Sequence, residues 1–106
     1  MKYFLFKLIP PRPTFPADMT PAEPQLMQEH SRYWRDLMSK GLVVVFGPVA
    51  DPKGTYGIAV IQIEDDTDVN LLATNDPTIE ADVGFRFEVY SMPQVILPAS
   101  PTNSRD

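Results

Sequence analysis

The sequence predicts an α+β fold: a four-stranded antiparallel sheet with two helices on one face. Three observations predict it. The element signals fall in the order β-α-β-β-α-β. The stretch "LMQEHSRYWRDLM" (Leu26 to Met38) carries its apolar residues at helical spacing. The stretch "VGFRFEVYSM" (Val83 to Met92) alternates, with Phe85, Phe87 and Val89 on one side and Arg86, Glu88 and Tyr90 on the other.

The elements follow from the N-terminus. Lys2 to Ile9 is aromatic-rich and reads as a strand. Six prolines between Pro10 and Pro24 then enforce a stiff, extended loop. Such long loops are often functional, and this one is expected to border a pocket with Phe15 packed inward. Thr20, Pro21 and Glu23 supply a helix start, as N-cap hydroxyl, first-turn proline and capping-box carboxylate. Pro24 is an alternative first helical residue. Gly41 ends the helix as a left-handed terminator. Leu42 to Val49 is a continuous β-branched run, expected to be covered on both faces. Asp51 to Gly54 is a turn and Thr55 to Glu64 a third strand. A short helix follows, capped by Asp66 or Thr67 and stopped at Asp76-Pro77. Val83 to Met92 is the last strand.

This order is the split βαβ arrangement, a ferredoxin-like βαββαβ fold. Two helices cannot cover both faces of four strands, yet both faces of the first strand are apolar. Phe4 and Phe6 alternate there with Tyr3 and Leu5. The uncovered face is expected to pack on that of a second copy, giving a homodimer.

Bulk properties narrow the function. At 106 residues the chain holds one modest core. The domain is expected over residues 1–97, followed by a disordered polar tail at 98–106. Hydrophobic residues are 43% and charged residues 22%, an ordinary globular balance. The net charge of −5 argues against nucleic acid and anionic membranes as partners. The absence of cysteine removes disulfides, thiolate metal sites and cysteine nucleophiles. The opening "MKYFLFKLIPP" is too short for a signal peptide, and no run approaches the roughly 20 apolar residues of a membrane span. The cytoplasm is the expected location. No cofactor or metal is expected. There is one histidine, the acids of "IEDDTD" suit a solvated turn, and no glycine-rich phosphate loop or serine elbow appears.

On a helical wheel Tyr33, Leu26, Leu37, His30, Trp34, Met27 and Met38 fall within one arc of roughly 140°. His30 lies near its middle and so faces the sheet. Two readings fit: a core histidine satisfied by one carbonyl, or a proton-transfer group suited to neutral pH. Topology brings the start of the first helix, the end of the second, the Pro-rich loop and the 51–54 turn to one end of the sheet. His30, Asp76, Arg12, Phe15 and Lys53 therefore converge there. Asp76 alone fits an Asx turn before proline equally well. Asp36 lies on the solvent side and is expected to pair with Lys40 or Arg32. Trp34 flanks the histidine and serves either as core or as pocket wall.

The order strand, helix with an inward histidine, "GLVVVFGPV", strand, short helix, "NDP", strand resembles the YciI-like (YCII-related) family. The resemblance spans residues 1–97. It rests on His30, Gly41, Gly47-Pro48, Gly57 and Asp76-Pro77. It implies a dimeric α+β barrel with protomers paired through their sheets, and an active site at His30 and Asp76. Related barrels include isomerases, lyases and cofactor-free oxygenases acting on small, often cyclic molecules. The Pro-rich first loop departs from the simplest family pattern. The leading expectation is therefore a small-molecule enzyme with His30 as proton-transferring group and Asp76 orienting it. Arg12, Phe15 and Trp34 are the expected substrate contacts. The rivals are a non-enzymatic dimeric module that binds a small ligand, and a purely structural dimerisation domain.

Overall fold

The computed structural model of the chain describes residues 1–99. The expected tail thus lies almost wholly outside the described residues. Four strands form one sheet: β1 (Lys2–Ile9), β2 (Val43–Val49), β3 (Tyr56–Ile63) and β4 (Arg86–Met92). Their spatial order is β2-β3-β1-β4, and each neighbouring pair is antiparallel. With the helices between them this is the ferredoxin-like arrangement.

Alternation along the strands sorts the two faces. Phe6, Leu8, Ala59 and Ile61 are buried under the helices. Tyr3, Leu5 and Lys7 alternate with Phe4, Phe6 and Leu8 and so point the other way. Register sets Leu5 opposite both Val60 and Tyr90, and Val60 opposite Val45. One apolar row thus crosses all four strands of the uncovered face.

Helix α1 (Glu23–Ser39) lies across the covered face. Trp34 and Leu37 are buried, and Leu26, Met27 and Tyr33 pack partly buried against the core. Trp34 stacks at a tilt on Phe6, centroids 4.8 Å apart, and Phe6 stacks on Phe87 at 5.8 Å. Met38 belongs to the same arc but is exposed, because it sits in the last turn, beyond the sheet's cover. The helix ends as expected at Gly41, whose φ is +81°. Gly41 N–H donates to the Met38 carbonyl and Leu42 N–H to that of Leu37, each at 3.0 Å. This is a Schellman cap.

The helix start differs from the expectation. Ala22, not Thr20, is the N-cap, and it offers no side-chain acceptor. Only half of the capping box forms: Glu23 Oε1 accepts from Thr20 N–H at 2.8 Å. The other half fails because Glu23 N–H donates to the Thr20 carbonyl, at 3.1 Å, instead of to its hydroxyl.

The second helical region is also corrected. It is two short helices, α2 (Val69–Thr74) and α3 (Pro77–Glu80). Asp68, not Asp66 or Thr67, caps α2 by accepting from Asn70 N–H at 3.0 Å. Asn75 ends the first of them and Asp76 caps the second. The last strand begins at Arg86 rather than Val83, because Asp82 and Gly84 hold positive φ and turn the chain there.

Candidate active site

Asp76 stands at the N-terminus of α3, fully buried. A buried carboxylate needs every lone pair matched. Here the two oxygens divide the task. Oδ1 accepts from Thr78 N–H at 2.9 Å and Thr78 Oγ1–H at 2.8 Å, closing the α3 cap. Oδ2 accepts from Trp34 Nε1–H at 2.6 Å and lies 2.8 Å from His30 Nδ1. The Asx turn and the histidine pairing, rival readings of Asp76 in the sequence, therefore coexist. Burial on its own would push the Asp76 carboxyl up. The hydrogen bond and charge of His30, with the Trp34 and Thr78 donors, outweigh it and hold the group below its ordinary range.

An ionised Asp76 fixes the histidine tautomer. A carboxylate accepts only, so Nδ1 carries a proton, and in the neutral ring the lone pair falls to Nε2. Nε2 has no hydrogen-bond partner among the described residues, and no buried side-chain nitrogen or oxygen there lacks one. Nε2 is thus the accessible end of the ring.

His30 lines a cavity of about 280 Å³. The walls are aromatic and aliphatic, chiefly Phe6, Phe15, Trp34, Phe46 and Phe85, with Met19 and Met27. Gly47, Gly57 and Ala59 form one side. Gly57 matters there: a Cβ would stand 3.7 Å from that of Leu8, in ordinary contact, so its absence leaves room rather than relieving a clash. His30 supplies the one imidazole that lines the cavity. Asp76 lies behind the wall and does not line the cavity.

The Pro-rich loop closes one side. Pro10, Phe15, Pro16 and Met19 all line the cavity. Phe15 is buried and meets Phe85 edge-to-face at 5.5 Å. Arg12 holds the loop to the helix. Its guanidinium donates to both oxygens of Glu23, at 2.6 and 2.9 Å, and to Asp18 Oδ1 at 2.9 Å. Arg12 is not among the cavity-lining residues, and it donates to these carboxylates and to the Asp18 carbonyl. The structure thus brings His30, Asp76, Phe15 and Trp34 together and sets Arg12 apart.

Hydrogen bonding from Arg12, then from Thr20 N–H, lowers the Glu23 carboxyl from 4.5 to about 2. A depressed carboxyl stabilises the clasp above its ordinary value and loses that effect as pH falls through the depressed one. The loop is therefore expected to loosen between pH 4.5 and about 2. Amide hydrogen exchange across residues 14–20 would report it, and Glu23→Gln should show the same loosening at neutral pH. Loop protection unaffected by both acid and the variant would refute the clasp.

Two supporting residues carried little sequence signal. Thr78 is buried and serves Asp76 through two groups. Only the pattern Asp-Pro-Thr, an N-cap followed two residues on by a hydroxyl, marked it. Tyr33 Oη donates to the Leu72 carbonyl at 2.7 Å, tying α1 to α2. Burial, followed by the charges of Asp76 and Glu80, pushes its phenol up to about 12, so it stays protonated and donating.

The family model of the YCII-related domain matches residues 1–93. The chain belongs to the YCII-related family. No curated protein sequence matches this YCII-related chain. Among solved structures it is similar to a formyltetrahydrofolate deformylase from Pseudomonas putida KT2440, at 16% identity and a TM-score of 0.42. That alignment covers 84% of the YCII-related chain and 28% of the deformylase chain. Among the described residues no helix is long and apolar enough to cross a membrane.

Proposed function

We propose that this YCII-related protein is a cofactor-independent enzyme of isomerase or lyase type. It moves a proton on a small, apolar, cyclic or carbonyl-bearing molecule. The observation that carries this reading is the His30–Asp76 pair, with Nδ1 toward the carboxylate and the ring on the wall of the cavity.

The chemistry follows from the tautomer. Nε2 takes a proton from a carbon next to the substrate carbonyl. The C–H bond breaks, the electron pair delocalises onto the carbonyl oxygen, and an N–H bond forms. Asp76 stabilises the resulting imidazolium. Return of the proton to a different atom gives isomerisation, and departure of a β-substituent gives elimination. The apolar walls keep water from the carbanion. A ligand of this kind matches the cavity, which is near the small end of typical ligand pockets.

The test is deuterium exchange. Small cyclic ketones and keto acids, incubated with the protein in D2O, are expected to incorporate deuterium next to the carbonyl, followed by proton NMR. Compounds that bind the cavity yet never exchange would overturn the enzymatic reading. That result would favour its rival, a non-enzymatic binding module, which the almost wholly apolar wall also suits.

The site is proposed to work in a homodimer formed through the uncovered sheet face. The row Val45, Val60, Leu5 and Tyr90 supports this, with Val45 49% and Tyr90 50% exposed at its two ends. Such a row across a sheet face is a surface that association would bury. Sedimentation at micromolar concentration should give about twice 11.9 kDa. A mass of one chain would exclude the sheet-to-sheet assembly.

A further inference from the structure

A second hollow lies beside the His30 cavity. The two share Pro10, Thr55 and Tyr56 as a common wall. Their chemistry is opposite. Four of the chain's nine lysines and arginines line the second hollow: Lys7, Arg12, Lys53 and Arg86. One carboxylate, Asp51, joins them. We propose that this hollow binds a small oxyanion, a carboxylate or phosphate group.

The charge there is not cancelled from within. Asp51 Oδ1 is turned into its own loop, accepting from Lys53 N–H at 2.9 Å. Within one protomer Lys7, Lys53 and Arg86 make no ion pair among the described residues, and Lys7 and Arg86 stand at the end of the sheet face proposed to meet the second copy. Glu88 stands opposite Lys7 in the register, but its carboxylate accepts from Tyr90 Oη at 2.6 Å. The Lys7 ammonium sits instead over the Tyr56 ring, 4.4 Å from its centroid. Arg12 has two carboxylate partners of its own and contributes field rather than free donors. A chain of net charge −5 has thus gathered unpaired cations in one place, where a bound anion relieves their mutual repulsion.

The walls are held in place by close backbone approaches. At Gly54 a Cβ would lie 3.4 Å from the Pro13 backbone, and at Gly84 it would lie 2.9 Å from Pro11 Cβ. Both glycines also hold positive φ, at +148° and +102°. The Pro-rich loop is therefore seated against the 51–54 turn and against the chain leading into β4, and the cations project from segments that touch one another.

The experiment uses the full chain, with inorganic phosphate and acetate as separate probes at fixed ionic strength. Amide NMR shifts at Lys53, Gly54, Gly84 and Arg86 are expected to change and saturate, whereas those around Arg32, Arg35 and Lys40 stay still. Lys53→Gln and Arg86→Gln, both at exposed positions, should each weaken binding roughly two- to five-fold, and the pair by the product. Added salt should weaken it further. Saturation with phosphate alone identifies a phosphoryl ligand, and saturation with acetate as well identifies a simple carboxylate site. Shifts spread over all basic residues, or binding indifferent to both variants, would overturn the proposal. The test is separate from the proton-transfer reading, since neither variant touches His30 or Asp76.

Discussion

Asp76→Asn is expected to destabilise the fold by about 1–3 kcal/mol, whichever way the amide is turned. Each carboxylate oxygen serves one adaptable partner and one rigid donor. The imidazole can change tautomer and the Thr78 hydroxyl can rotate. Trp34 Nε1–H and Thr78 N–H cannot reverse. An NH2 group in place of Oδ2 faces the indole N–H, and in place of Oδ1 it faces the Thr78 N–H. In the first arrangement the amide donates to Nδ1, so the ring proton moves to Nε2 and the lone pair leaves the cavity. Urea unfolding measures the stability, and nitrogen NMR of the single imidazole reads the tautomer. A variant with both unchanged would mean that the hydrogen-bonded arrangement does not operate. The wild-type carboxyl, held below the ordinary 3.8, stabilises the fold above that value. This contribution fades as pH falls through the lowered one, so the gap between wild type and variant should close in acid.

His30→Gln carries the other large effect. A positioned general base contributes roughly 10²- to 10⁴-fold to rate, and glutamine cannot accept a proton near neutral pH. The variant keeps an NH2 able to donate to Asp76, so most of the stability should remain. Loss of deuterium exchange by that factor, in a protein that still unfolds cooperatively, is the expected result. Lowered stability with undiminished exchange would reduce His30 to a core residue.

Much of this was legible because the signals are local and physically forced. Gly41 had to end the helix, since the chain there takes a left-handed turn. His30 and Trp34, one turn apart on the apolar arc, had to share a face. What stayed hidden depends on competition between near-equals. Asp66, Thr67 and Asp68 can all cap a helix, and the fold uses the third, whose side chain accepts from Asn70 N–H. Arg12 reads as a free cation until the loop folds back and delivers it to Asp18 and Glu23, eleven residues away from the latter. Asp76 had two plausible roles in the sequence. Only the geometry reveals that a carboxylate has an oxygen for each.

Trp34 has a practical consequence. It is the chain's single tryptophan, so all indole emission comes from one ring. That ring lines the cavity and donates to the oxygen that faces His30. An occupant changes the polarity at its face, and a change of charge on the imidazole alters the field at its N–H. Intrinsic fluorescence therefore gives two readouts from one site without a label. Its wavelength follows filling of the cavity, and its intensity follows the charge on the neighbouring imidazole. The same fluorophore allows unknown ligands to be sorted by titration before any reaction has been found.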